Sequence, residues 1–179
     1  MDFREVKEFF KDTFGYIVVI VVVLFICAYI ITLQQNVGPS MEPTLNNGDV
    51  FLLNKMSYKF GEVKRNDIIA FNDSRSKYLV KRVIGLPGER IDYKDNILYI
   101  NNEPYTETFL GENVVTTNFD MELIKGCENG TIPEEHYLVL GDNRGNSMDS
   151  RELGVISKDD IIGKTSIRIW PISNFGIVK

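Results

Sequence analysis

Eighteen consecutive residues, Tyr16 to Leu33 (YIVVIVVVLFICAYIITL), carry no charge. A helix needs about 20 apolar residues to cross a bilayer core, with a workable range near 17–25. Val and Ile dominate the run and would suit a buried strand, but strands end by about 10 residues. The run therefore predicts a membrane-spanning helix over 16–33. A cleaved signal peptide would have an apolar core of about 7–15 residues followed by small residues of A-x-A type. Here the run is longer and is followed by QQNVGPS, so an uncleaved anchor is expected.

Arg4, Lys7 and Lys11 precede the span, and the first basic residue after it is Lys55. Basic residues set orientation and acidic ones count little, so residues 1–15 are expected in the cytoplasm and residues 34–179 outside, as in a single-pass protein of the cell membrane. Phe3, Val6, Phe9 and Phe10 recur at the spacing of a short amphipathic helix. The formal charge is −5 with no basic cluster, which argues against a nucleic-acid partner. Two cysteines and one histidine exclude a disulfide scaffold and leave little for metal chemistry. Cys27 is expected to pack within the span or face lipid, and Cys127 to be a lone exterior thiol.

The exterior segment shows short runs of β character at Asp49–Leu53, Asp67–Phe71, Tyr78–Ile84, Glu89–Tyr93, Ile97–Ile100, Tyr137–Leu140 and Ser166–Ile169. Turn signals separate them: NNGD, NDSRS, LPGE, KDN, NNEP and GDNRGN. No stretch after Leu33 sustains a helical period for long. The fold class is mostly β, an antiparallel, barrel-like domain. Residues from about 92 to 136 are more polar and turn-rich, and suggest a small inserted subdomain.

Three segments carry the candidate chemistry. In Gly38-Pro39-Ser40-Met41-Glu42-Pro43-Thr44, two prolines fix their own φ and push Gly38 and Glu42 towards extended backbone. A rigidly held serine suits a preorganised nucleophile, although such residues also make ordinary turns. Ser40 lies seven residues beyond Leu33, within ~25 Å even if fully extended, hence near the outer membrane surface. In Tyr78–Gly88, strand alternation sets Lys81 on one face with Leu79 and Val83. Burial there would lower its pKa and make it a general base; the bland reading is an edge lysine that discourages aggregation. The third segment, Gly141–Arg151, carries two Asp and two Arg after an apolar strand, a pattern for an ion-pair network supporting a site. EF-hand spacing fails there, because Arg144 and Ser147 stand at positions that loop reserves for other residues. A Ser-His-Asp triad would need His136, which is read instead as a structural or surface histidine; a Ser-Lys pair needs none.

Taken together, GPSMEPTL, GDVFLLNK, RNDIIAF, YLVKRVIGLPGE and YLVLGDNRGNSMDSRELGVI, in this order behind an apolar anchor, resemble the bacterial type I signal peptidases, from about residue 16 to 170. The resemblance implies a membrane-bound serine endopeptidase that removes N-terminal signal peptides from exported preproteins. It implies Ser40 as nucleophile, Lys81 as general base, and Ser147 as a hydroxyl that hydrogen-bonds and orients the Lys81 amine. Asp142, Arg144, Asp149 and Arg151 match positions that hold the site together, with Asp149–Arg151 an ion pair, and Arg82 should face away from Lys81 in a structural role. Small residues before the cut are implied, with Met41, Leu79 and Val83 as candidate pocket walls.

Some members carry a serine where this chain has Gly38, so the oxyanion donors here are expected to be backbone N–H groups, including that of Ser40. A glycine at this position and a short exterior domain resemble the compact Gram-positive members. No metal or organic cofactor is implied, and the partners are preproteins emerging from the secretion machinery and membrane lipid. Two other classes compete. A silent membrane-tethered β-domain scaffold would have no use for Ser40 and Lys81 in their motifs. A self-cleaving Ser-Lys protease of related fold would carry a DNA-binding region where this chain has its apolar span.

Overall fold

The computed structural model describes residues 3–73, 78–111 and 114–178, apart from the side chains of residues 3, 5, 6, 9, 12, 27 and 28. Helix α1 (Phe3–Tyr29) is followed by β1 (Ile31–Gln35), β2 (Val50–Asn54), α2 (Ser57–Phe60), β3 (Ile68–Asn72), β4 (Tyr78–Gly85) and β5 (Ile91–Lys94). Then come β6 (Ile97–Ile100), β7 (Glu103–Tyr105), β8 (His136–Leu140), α3 (Ser150–Leu153), β9 (Ile156–Ser157), β10 (Ile161–Trp170) and β11 (Gly176–Ile177). The fold is mostly β and every strand pair is antiparallel.

Strand order in the main sheet is β1-β2-β10-β3-β4-β8-β9, with β11 on β10. Its end strands do not pair with one another among the described residues. It is nevertheless covered on both faces. Ile68 and Ala70 join Met41, Leu45, Phe51, Leu53 and Val80 on one side. Ile69 and Phe71 join Val63, Val83, Tyr137, Val139 and Ile156 on the other. That explains the unbroken apolar run of β3, since a strand buried on both faces loses the polar alternation of a half-exposed one.

The second sheet, β5-β6-β7, comes between β4 and β8 in the chain. Its hairpins turn on Asp95-Asn96 and Asn101-Asn102, all four at positive φ, as two-residue type I′ turns require. These are the KDN and NNEP signals of the sequence. Its apolar face shares a core with the main sheet through Ile84, Leu138 and Leu140, which meet Ile91, Tyr93 and Leu98. Cys127 is buried in this core, which pushes its thiol up to about 11. The predicted turn NDSRS runs into 74–77, outside the described residues.

The predicted helix over 16–33 stops early. The last helical hydrogen bonds lead to Ile30 N–H donating to Ile26 O at 2.9 Å. Ile31, Thr32 and Leu33 then pair with Asn54, Leu53 and Leu52. Two β-branched residues facing a partner strand prefer the ladder to another helical turn. Helix α1 is 27 residues long, about 40 Å. The side chains of residues 16–26 are all exposed and add nothing to either core. Among the described residues, which leave out the side chains of residues 27 and 28 inside the apolar run, no helix is long and apolar enough to cross a membrane. The side chains of Cys27, Phe3, Val6 and Phe9, on which two sequence expectations rest, lie outside the described ones.

At Gly163, β10 and β2 approach closely: a Cβ there would collide with the Asn54 carbonyl oxygen of β2. Gly163→Ala is expected to destabilise the fold by about 1–3 kcal/mol through overpacking, read as a lowered denaturation midpoint with an unchanged m-value.

Candidate active site

The loop carrying Ser40 is closed at its base by Asn36. Asn36 N–H donates to Asp49 O at 2.7 Å, and Gly48 N–H donates to Asn36 O at 2.9 Å. The buried Asn36 amide also donates to Leu45 O and Asn46 O at 3.1 and 3.0 Å, with Gly38 O at 3.3 Å. Gly38 has φ +93°, not the extended backbone that a following proline imposes on other residues. Without a Cβ it can take the left-handed region instead, and its N–H donates to Asn47 Oδ1 at 2.9 Å. Asn143 holds the loop from across the fold. Its N–H donates to Ser40 O at 3.1 Å, and its side-chain amide to Pro39 O at 3.2 Å.

Lys81 lies on β4 opposite Ile69, on the same face as Leu79 and Val83, and is 2% exposed. Its Nζ is 2.8 Å from Ser40 Oγ and donates to Val80 O at 3.0 Å. Burial pulls its pKa down to about 8, against the opposing pull of Asp149 and Asp142. A neutral amine is therefore accessible near physiological pH, with its lone pair within proton-transfer distance of the serine hydroxyl.

The Gly141–Arg151 segment is knitted by its own side chains. Asp149 accepts from Gly141 N–H at 3.0 Å and pairs with Arg151 at 2.8 Å. Arg151 also donates to Arg144 O at 2.8 Å, and Arg144 Nε to Gly141 O at 3.0 Å. Asp142 is fully buried and accepts from Arg82 at 2.9 and 2.7 Å and from the Thr44 hydroxyl at 2.5 Å. Arg82 lies 4.0 Å above the Phe109 ring, on the face of β4 opposite Lys81. Arg144 reaches into the second sheet's region, pairing with Glu107 and donating to Thr116 Oγ1 at 3.0 Å. Asn36, Glu107 and Thr116 are partners from outside the sequence motifs.

Three expectations are corrected here. Ser147 makes no hydrogen bond to Lys81: its Oγ is buried without a partner among the described residues. The hydroxyl packs against Gly141, where a Cβ would collide with both Ser147 Oγ and Ser40 O, while Lys81 meets Ser40 and Val80 O instead. Met41 is not a pocket wall, because it is fully buried in the core with Leu45 and Phe51. Val83 is likewise fully buried, on the other face with Phe71 and Val139. Leu79 does line the cleft beside Ser40. That cleft has a volume of about 360 Å³, with residues 34–37 and Ser40 along one side and Tyr78–Lys81 along the other. A larger cavity of about 470 Å³ beside Arg65, Phe109 and Lys164 is lined by neither Ser40 nor Lys81. His136 opens β8 with Nδ1 2.8 Å from Glu134 O.

Comparison with known proteins adds a family to this geometry. The model of the family described as signal peptidase, peptidase S26, matches residues 7–170. Signal peptidase IB of Staphylococcus aureus is 35% identical over 178 residues, covering 94% of this chain and 93% of its own length. Signal peptidase I of Bacillus caldolyticus is 42% identical over 145 residues, covering 77% and 79%. The crystal structure of a signal peptidase I from Enterococcus faecalis V583 aligns with a TM-score of 0.51 at 38% identity. It covers 57% of this chain and 96% of that one.

Folding lowers the Lys81 pKa from 10.5 to about 8. Between those values the unfolded chain holds a proton that the folded chain has released, so stability rises with pH across that window. At pH 7 the folded state bears the full penalty of the buried charge. Lys81→Met should therefore unfold at higher denaturant than the parent at pH 7, by at most about 3 kcal/mol. The advantage should shrink as pH rises from about 8 to 10.5, as read from denaturant titrations at several pH values.

Proposed function

The chain belongs to the signal peptidase family, peptidase S26, and is a serine endopeptidase of the signal peptidase I kind. From that premise we propose that Ser40 and Lys81 are its nucleophile and general base, and that its substrates are preproteins carrying N-terminal signal peptides. One observation carries the reading: a serine hydroxyl 2.8 Å from a buried lysine amine whose pKa is lowered to about 8.

The neutral Lys81 amine takes the Ser40 proton as Oγ attacks the scissile carbonyl, forming a tetrahedral intermediate. Gly38 offers no side-chain donor, so the oxyanion is held by backbone N–H groups, that of Ser40 among them. The protonated Lys81 then gives its proton to the leaving amine, and the mature protein departs. Neutral again, it activates water to hydrolyse the acyl-enzyme and free the signal peptide. The residues of β4 after Lys81 are paired with β8 from Arg82 onward, so a substrate chain extends from Ser40 towards Tyr78. There the cleft between residues 34–37 and 78–81 receives the residues before the cut. A cleft of this size favours small side chains at the first and third of them, as in A-x-A.

The same proposal assigns α1 to the membrane. Its apolar side chains over residues 16–26 face no protein, and Arg4, Lys7 and Lys11 are exposed before them. The helix anchors the chain with these basic residues on the cytoplasmic side and Ser40 at the outer surface, where preproteins emerge. Residues 92–136 act as an inserted unit that braces Arg144 through Glu107.

The test is cleavage of a preprotein with an A-x-A site by the full chain in detergent. The parent should cut after the A-x-A, and Ser40→Ala, Lys81→Ala and Lys81→Arg should be inert, the last because guanidinium stays protonated. For the parent, kcat/KM should fall about tenfold per pH unit below about 8, as Lys81 gains its proton. Equal cleavage by all variants, or an acid limb unmoved by changes around Lys81, would overturn the assignment.

A further inference from the structure

Tyr78 opens β4 three residues before Lys81 and lines the catalytic cleft. Its ring packs against the Met41–Phe51–Val80 core. Its hydroxyl is buried and has no hydrogen-bond partner among the described residues. A buried hydroxyl left unpaired is destabilising, and phenylalanine would fill the same space without that penalty. Burial also pushes the phenol's pKa up, so it remains a protonated donor at any working pH. A donor held in this way matches an acceptor that arrives with the substrate.

Spacing indicates which substrate residue that is. Strand residues advance about 3.4 Å each, so Tyr78 stands about 10 Å along β4 from Lys81. An extended chain with its scissile carbonyl at Ser40 sets the third residue before the cut two steps, about 7 Å, upstream, within reach of the Tyr78 phenol. We propose that the Tyr78 hydroxyl is a specificity-determining donor, satisfied when the third residue before the cut presents a side-chain oxygen. This inference rests on the Ser40–Lys81 reading of the cleft. It assigns that subsite a polar preference among small residues, favouring a hydroxyl-bearing side chain over its apolar isostere.

Two signal-peptide substrates that differ only in Thr against Val at that third position test it, with the full chain in detergent and Tyr78→Phe alongside. The parent should favour Thr over Val in kcat/KM by about three- to tenfold, the net worth of one neutral hydrogen bond. Tyr78→Phe should bring the ratio close to one, chiefly by lowering kcat/KM on the Thr substrate, and unfold no more easily than the parent. A parent ratio of one, or a ratio unchanged in Tyr78→Phe, would overturn the assignment while leaving the Ser40–Lys81 reading intact. Should Tyr78→Phe not fold, the parent ratio alone decides. If the parent cuts neither substrate, the Ser40–Lys81 reading falls and this inference with it.

Discussion

A lysine amine buried in a β-sheet is the constraint around which this molecule is arranged. Desolvation drives the Lys81 pKa down, while Asp142 and Asp149 pull it back up. Both carboxylates are fully buried, where an unpaired negative charge acts most strongly on its neighbours. Each is neutralised by an arginine: Arg82 holds Asp142 with two hydrogen bonds, and Arg151 holds Asp149 with two. The arginines thus do more than tie loops together. They blunt the two fields that would otherwise hold the Lys81 pKa up, and desolvation wins.

The same pairs join segments far apart in sequence. Asp142 receives Arg82 from β4 and Thr44 from the serine loop, so one carboxylate fastens all three motif segments. Asn143, the next residue, holds the Pro39 and Ser40 carbonyls. Removing one partner of a buried ion pair leaves an uncompensated charge, typically worth 3–5 kcal/mol. The position of Ser40 is therefore coupled to the stability of the whole fold, and the loop bearing it has little freedom to wander from Lys81.

The sequence made these local features legible where local chemistry decides them. Alternation along Tyr78–Ile84 put Lys81 with Leu79 and Val83, and the face is as expected. The Asp95-Asn96 and Asn101-Asn102 hairpins follow from residues that tolerate positive φ, and the Asp149–Arg151 pair formed as read. What failed depends on where distant segments meet. Met41 and Val83 are apolar residues beside the motif residues, and proximity in sequence could not reveal that both are sealed in cores. Glu107 sits in the least patterned stretch, and only a partner for the fully buried Arg144 would have pointed to it. The end of α1 was misread because Ile31-Thr32-Leu33 is as apolar as the helix before it. The strand that captures those residues, β2, lies nearly twenty positions further on.

That capture has a consequence for the proposed reaction. The segment leaving α1 becomes β1, and residues 34–37 at its far end form one side of the cleft. Five strand residues span about 17 Å, so the cleft begins within about 20 Å of the helix end. Because β1 is hydrogen-bonded to β2 along its whole length, this spacing is set by a sheet and not by a flexible tether. On the anchoring proposed above, the distance from bilayer to Ser40 is then fixed by the fold. A chain leaving the same bilayer in extended form meets Ser40 at a set number of residues from its own apolar segment. On that proposal, small residues select the bond locally and the strand selects it by distance. A soluble protein with A-x-A in a loop satisfies the first condition and not the second.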